Sequence, residues 1–183
     1  MVTYAPKSRL KLNGKTVGTQ EVDPENIHTV FKLPYEPGTL VAEGLDEKGR
    51  VICSTELVTP GKPLALRIVP DRAPITTHNN DLAYVSLEVV DADGNLVMQD
   101  RYDVSVSIEG PAEILGCGSG FHKDIYSFGN PEGMKTWRGR AMLILRPTGE
   151  AGNVTIKVES GAFGAVTHQL PVKQGGCSDY NDV

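Results

Sequence analysis

Apolar and polar residues alternate along most of this chain with a period of two. Val104, Val106 and Ile108 alternate with Ser105, Ser107 and Glu109. Val154, Ile156 and Val158 alternate with Thr155, Lys157 and Glu159, and Val85, Leu87 and Val89 with Ser86 and Glu88. Each run buries one face and wets the other, as strands of an antiparallel sandwich do. No segment carries the spacing of apolar residues that a helix needs. The pattern predicts an all-β protein.

Turn residues punctuate the runs. Asn13-Gly14 stands between Leu12 and Lys15, a strong hairpin signal because both central residues must accept positive φ. Asp46-Glu47-Lys48-Gly49 separates strands predicted over residues 40–45 and 50–57. Asp91 to Asn95 separates strands predicted over 84–90 and 96–99. Thr59-Pro60-Gly61-Lys62-Pro63 cannot continue a ladder, so it predicts a boundary. The expected organisation is two immunoglobulin-like β-sandwich modules in tandem. The first covers residues 1–60 and is small, or truncated, for a self-sufficient core. The second, residues 61–173, has the size of an immunoglobulin-like domain. The polar, glycine-containing tail 174–183 is expected to be disordered.

Composition narrows the function classes. Of the 183 residues, 39% are hydrophobic and 22% charged, as in globular proteins. The formal net charge of -5 disfavours a nucleic-acid partner, whose phosphates need a basic face. No apolar run reaches the roughly 18 residues of a membrane span, and no signal peptide follows Met1. The three cysteines, Cys53, Cys117 and Cys177, are widely spaced and form no C-x-x-C, which argues against a zinc site or disulfide framework. No cofactor is indicated.

The stretch "ILGCGSGFHKD", residues 114–124, is the best candidate for chemistry. It resembles the nucleophile signature of papain-type proteases, but Gly120 stands where that signature has a second cysteine. The following Gly129, Pro131 and Gly133 also exclude the helix that would hold a thiolate. The glycine spacing fits neither the dinucleotide fingerprint nor a nucleophile elbow. The plainer reading is a strand over 113–117 ending in a glycine turn. His122 and Asp124 can share a face of an extended chain, yet two ligands do not make a metal site. The aromatic residues Phe121, Tyr126, Phe128 and the only tryptophan, Trp137, gather in the same region. Exposed, they would offer stacking surfaces to sugar rings; buried, they would pin a long loop, and burial is the favoured reading. Phe121, His122, Asp124, Tyr126 and Trp137 are thus the candidate sugar or interdomain contacts.

Several segments in order resemble the C-terminal portion of bacterial family 2 glycoside hydrolases, the β-galactosidase-like enzymes. They are "KLNGKTVGT" (11–19), "FKLPYEPGTLVAEGLDEKGRVI" (31–52), "LRIVPDRAPITTHNNDLAYVSLEVVDADGNLV" (66–97) and "VSIEGPAEILGCGSG" (106–120). The resemblance implies β-sandwich modules that follow a catalytic barrel. Where this chain has Ser119-Gly120-Phe121-His122, the family pattern is Asn-Gly-Asp-Pro. Both catalytic glutamates of the family sit on the barrel, which alone takes about 250 residues. No catalytic residue is therefore carried over. The start at Met1, part-way into a familiar module, suggests a recombinant fragment.

The expected role is a non-catalytic accessory part of a β-galactosidase-like enzyme, with the parent's catalytic barrel as its partner and oligomerisation open. Two rivals remain. One is a carbohydrate-binding module that uses the loop aromatics on galactoside-containing glycans. The other is an immunoglobulin-like adhesion or structural domain. The resemblance implies a periplasmic or extracellular location.

Overall fold

A two-residue turn pairs the first two strands in the computed structural model, which describes residues 3–99, 101–124 and 128–175. The chain divides into two compact units, Met1–Thr59 and Pro60–Val183. Among the described residues there are thirteen strands, one short 3-10 turn (Pro131–Gly133) and no α-helix. Among the described residues no helix is long and apolar enough to cross a membrane. The all-β expectation holds.

In the first unit, Asn13 and Gly14 take φ of 50° and 79°, and fold β1 (Lys7–Leu12) back on β2 (Lys15–Glu21). The Asn13 side chain also fixes the next strand. Its amide donates to the Glu36 carboxylate and the Pro37 carbonyl, and its oxygen accepts from the Thr39 N–H, all within 3.0 Å. A Cβ at Gly38 would lie 1.7 Å from that oxygen, so the turn needs glycine. β3 (Thr39–Leu45) then pairs with β1, and β4 (Val51–Val58) with β3, in one antiparallel sheet of order β2-β1-β3-β4. One face carries Arg9 and Lys11, both bound to Glu43. The other face carries Ser8 and Leu10, and the Ser8 hydroxyl donates to Thr29 in the segment crossing it. The described residues of this unit form that single sheet, with no second sheet facing it.

The second unit is a two-sheet sandwich. One sheet has the order β5-β7-β11-β9, from β5 (Ala65–Pro70), β7 (Ala83–Val90), β9 (Ala112–Gly118) and β11 (Arg140–Pro147). The other has the order β10-β8-β12-β13-β6, from β6 (Ile75–Thr76), β8 (Asp103–Glu109), β10 (Met134–Lys135), β12 (Gly152–Ser160) and β13 (Gly164–Lys173). Leaving aside the two short strands, these orders are the ABED and CFG sheets of an immunoglobulin-like sandwich. The alternating apolar residues meet between the sheets: Val85, Leu143 and Leu145 from one, Val154, Ile156 and Leu170 from the other, all fully buried.

Two details differ from the sequence reading. Residues 96–99 do not form a strand; Leu96 makes an isolated bridge with Val90, and Val97 donates to Val89 before the chain leaves the sheet. The Asp91 carboxylate causes that tight return, accepting from the N–H groups of Gly61, Asp93 and Asn95. The connection from β9 to β11 is also more than a glycine turn. It crosses to the opposite sheet, adds β10 beside β8, and returns. β10 thereby covers part of the edge that β8 would otherwise present. In the tail, the Gly175 N–H donates to the Thr77 hydroxyl, and residues 176–183 lie outside the described residues.

Candidate functional site

The crossing connection carries the candidate residues, and its backbone fixes where they point. β9 ends with the Cys117 N–H donating to the Phe128 carbonyl at 2.7 Å, which holds that carbonyl against the sheet edge. At the far end, Trp137 and Arg140 exchange both backbone hydrogen bonds around Arg138 and Gly139, with φ of 49° and 72°. This is the primed turn that suits a hairpin, although a non-glycine residue occupies its first position. Gly139 is needed for a second reason. A Cβ there would lie 2.1 Å from the Val97 carbonyl oxygen.

Between these anchors the side chains form one packed cluster. The Arg101 guanidinium lies 4.2 Å from the centre of the Phe121 ring, and the Trp137 ring centre lies 4.5 Å from it. Both contacts hold the Phe121 ring in place beside the cleft that it helps to line. Cation–π contacts of this kind contribute about 0.5–2 kcal/mol according to how far they are desolvated. Arg101 also donates to the Asp124 carboxylate at 2.5 Å and to the Thr136 carbonyl at 3.4 Å. The Ser119 hydroxyl donates to the other Asp124 oxygen at 2.9 Å. The fully buried Thr136 accepts from the Tyr102 N–H.

The structure therefore brings Phe121, Asp124 and Trp137 together. His122 is exposed and touches only the edge of this group, its ring tilted against Phe121 at 5.2 Å. Tyr126 lies outside the described residues. Sequence reasoning missed Arg101, the hub of the cluster. It lies 23 residues before Asp124, in a segment with no periodic pattern, so only the fold pairs them.

The electrostatics of the site follow from its contacts. The Arg101 hydrogen bond to Asp124 outweighs burial and holds its carboxyl below the usual carboxylate range, helped by Ser119. Glu88 is lowered too: burial pushes it up, but hydrogen bonds from Arg67 and Arg140 prevail. Burial raises the Cys117 thiol above its ordinary value, the opposite of what a thiolate nucleophile needs. Cys53 and Cys117 are both unpaired thiols, one exposed and one buried, and Cys177 lies outside the described residues. Among the described residues no group of three or more His, Cys, Asp or Glu is placed to hold a metal. No buried side-chain polar atom among them lacks a hydrogen-bond partner. A cleft of about 210 Å³ lies beside the cluster, lined by Ser119, His122, Asp124 and Asn130 among others. Of these, Ser119, Asp124 and Asn130 are engaged within the loop, Asn130 by accepting from the Glu132 N–H.

Fold and cluster together define an immunoglobulin-like β-sandwich in which the connection after β9 is tied down by Arg101 and by its own aromatic rings. Comparison with known proteins gives the family. Residues 66–169 match glycoside hydrolase family 2 C-terminal domain 5, and residues 1–53 match a domain of unknown function (DUF4982). The chain belongs to the family of glycoside hydrolase family 2 C-terminal domains, as its ordered segments indicated. It is 30% identical over 156 residues to Beta-galactosidase BoGH2A of Bacteroides ovatus, covering 85% of this chain and 18% of that protein. It is 30% identical over 167 residues to a beta-glucuronidase of Formosa agariphila, covering 88% and 16%. The chain thus spans less than a fifth of the length of these curated relatives. A solved family 2 glycosyl hydrolase from Bacteroides cellulosilyticus superimposes with a TM-score of 0.79 at 30% identity, over 93% of this chain and 22% of that one. A beta-glycosidase from Bacteroides vulgatus shares the fold, with a TM-score of 0.81 at 18% identity over 92% of this chain and 21% of that one.

Proposed function

We propose that this chain is a non-catalytic accessory part of a larger family 2 glycosidase, where it packs against and supports the catalytic barrel. The observation that carries the reading is the match to under a fifth of two long glycosidases, by a segment that folds as β-sheet. Retaining glycoside hydrolysis needs a carboxylic acid kept protonated near neutral pH beside a second carboxylate, about 5–5.5 Å away. Glu43, Asp46, Asp81, Glu88, Asp91 and Asp124 instead all have carboxyls held below their ordinary range. They accept hydrogen bonds from arginine, lysine, hydroxyl or backbone donors within the chain. That is how carboxylates that organise turns and sheets behave, rather than proton donors.

The test is turnover of chromogenic β-galactoside and β-glucuronide by the purified chain, beside the polypeptide encoded by the full native gene. No turnover is expected from the chain, and turnover from the full product. Hydrolysis by the chain alone, surviving further purification, would defeat the reading. Trp137 emission during titration with galactose and lactose tests the rival binding-module role. A saturable change lost on Phe121→Ala would favour that role, and a flat trace the accessory one.

A further inference from the structure

We infer that the outward face of the β5-β7-β11-β9 sheet is the surface on which this segment docks to the rest of a longer family 2 glycosidase polypeptide, meeting an apolar patch there. This rests on the accessory reading and names its contact surface. Strand register builds the surface. Met142 on β11 stands opposite Ser86 on β7 and Gly118 on β9, and Ile144 stands opposite Tyr84 and Gly116. The small residues leave a floor, while Met142, Ile144, Leu115 and Phe128 form the walls of a groove of about 600 Å³. Leu115 points outward because the β9–β11 pairing is irregular where Ile144 and Leu145 pass from Gly116 to Ile114. Leu115 is 45% exposed, Met142 44% and Phe128 77%, whereas the inward residues Val85 and Leu143 are fully buried. Contiguous exposed apolar side chains of this kind mark interaction sites.

Charge and linkage select the occupant. Glu88 beside the groove is bound by both Arg67 and Arg140, and Glu113 is bound by Arg146, so each of these carboxylates is paired within the sheet and the three arginines exceed them by one charge. An apolar protein surface without unpaired cations complements the groove. A glycan would find only Ser86, Ser119 and Arg140 as polar side chains in the groove, two of them already engaged. In the relatives the matched segment is 16–22% of the polypeptide, so most of each chain is covalently joined to it. Joining raises the effective concentration of such a partner to about the millimolar range, well above that of a second copy in dilute solution.

Hydroxyl-radical footprinting tests this, comparing the 183-residue chain with the polypeptide encoded by the full native gene. Met98, 61% exposed and outside the groove, serves as the internal control. Met142 should label like Met98 in the isolated chain and lose its labelling in the longer product. Met142→Glu in the longer product should restore labelling of Leu115 and Phe128, while leaving the unfolding midpoint of the isolated chain unchanged. Met142 labelling equally in both proteins overturns the proposal. So does concentration-dependent protection of Met142 in the isolated chain with dimer in sedimentation, because the occupant is then a second copy. A longer product that cleaves glycosides with Met142 still reactive defeats the docking surface alone. A product without glycosidase activity, or no longer than this chain, defeats the accessory reading and the docking surface with it.

Discussion

Gly139→Ala tests whether the hairpin that closes the long connection depends on close backbone approach as well as on positive φ. Gly120 supplies the comparison, because its φ is 74° against 72° at Gly139, yet an added Cβ would have nothing within 4 Å. Both substitutions place alanine in the left-handed region, at a cost of about 1–2 kcal/mol. Only at Gly139 does the Cβ also meet a carbonyl oxygen, that of Val97, at 2.1 Å. Val97 is fully buried, and its N–H donates to Val89, so relief requires a shift in the core. Overpacking of that kind adds about 1–3 kcal/mol. Gly120→Ala should therefore cost about 1–2 kcal/mol and Gly139→Ala about 2–5 kcal/mol. With a urea m-value of about 2 kcal/mol/M, the midpoints should fall by roughly 0.5–1 M and 1–2.5 M. Trp137 is the only tryptophan, so its emission follows the second unit, and far-UV circular dichroism checks that the transition is not local. Equal midpoints for the two variants, with unchanged m, would refute the role assigned to the Val97 contact.

Other perturbations probe the core, the cluster and the buried groups. Leu143→Ala, at a fully buried site between the sheets, should cost about 2–5 kcal/mol in urea unfolding, and a loss under about 1 kcal/mol would mean the site collapses freely. Asp124→Asn should loosen Arg101 from the loop and shift Trp137 emission to the red, whereas an unchanged spectrum would show that ring stacking alone holds the cluster. Glu88 has a folded pKa below its unfolded value of about 4.3, so its contribution to stability is complete above about pH 5 and is lost as pH falls through the folded pKa. Glu88→Gln should accordingly flatten the acid side of a pH series of urea midpoints, and an identical slope in the variant would contradict this. A thiol-specific reagent at neutral pH should label the exposed Cys53 quickly and the buried, raised-pKa Cys117 only on unfolding.

The period-two pattern, the Asn13-Gly14 turn and the Asp91–Asn95 return are local statements. Alternation decides which face of a strand is buried, and turn residues decide where it reverses. The sequence was therefore sufficient for an all-β fold and for most strand positions, and the ordered segments pointed to the family. It determined no partner for Asp124. Arg101 meets that carboxylate because the connection after β9 crosses to the other sheet and β10 lays it beside β8. Residues 96–99 read as a strand by composition, but the chain had to leave that sheet to begin β8, and long-range geometry overrode the local preference. The groove over Gly116 and Gly118 was equally hidden, since its floor and walls come from three strands brought into register. Period and turn chemistry act over a few neighbouring residues and can be read along the chain. Which faces lie side by side is set by strand order, and that exists only once the sheets have packed.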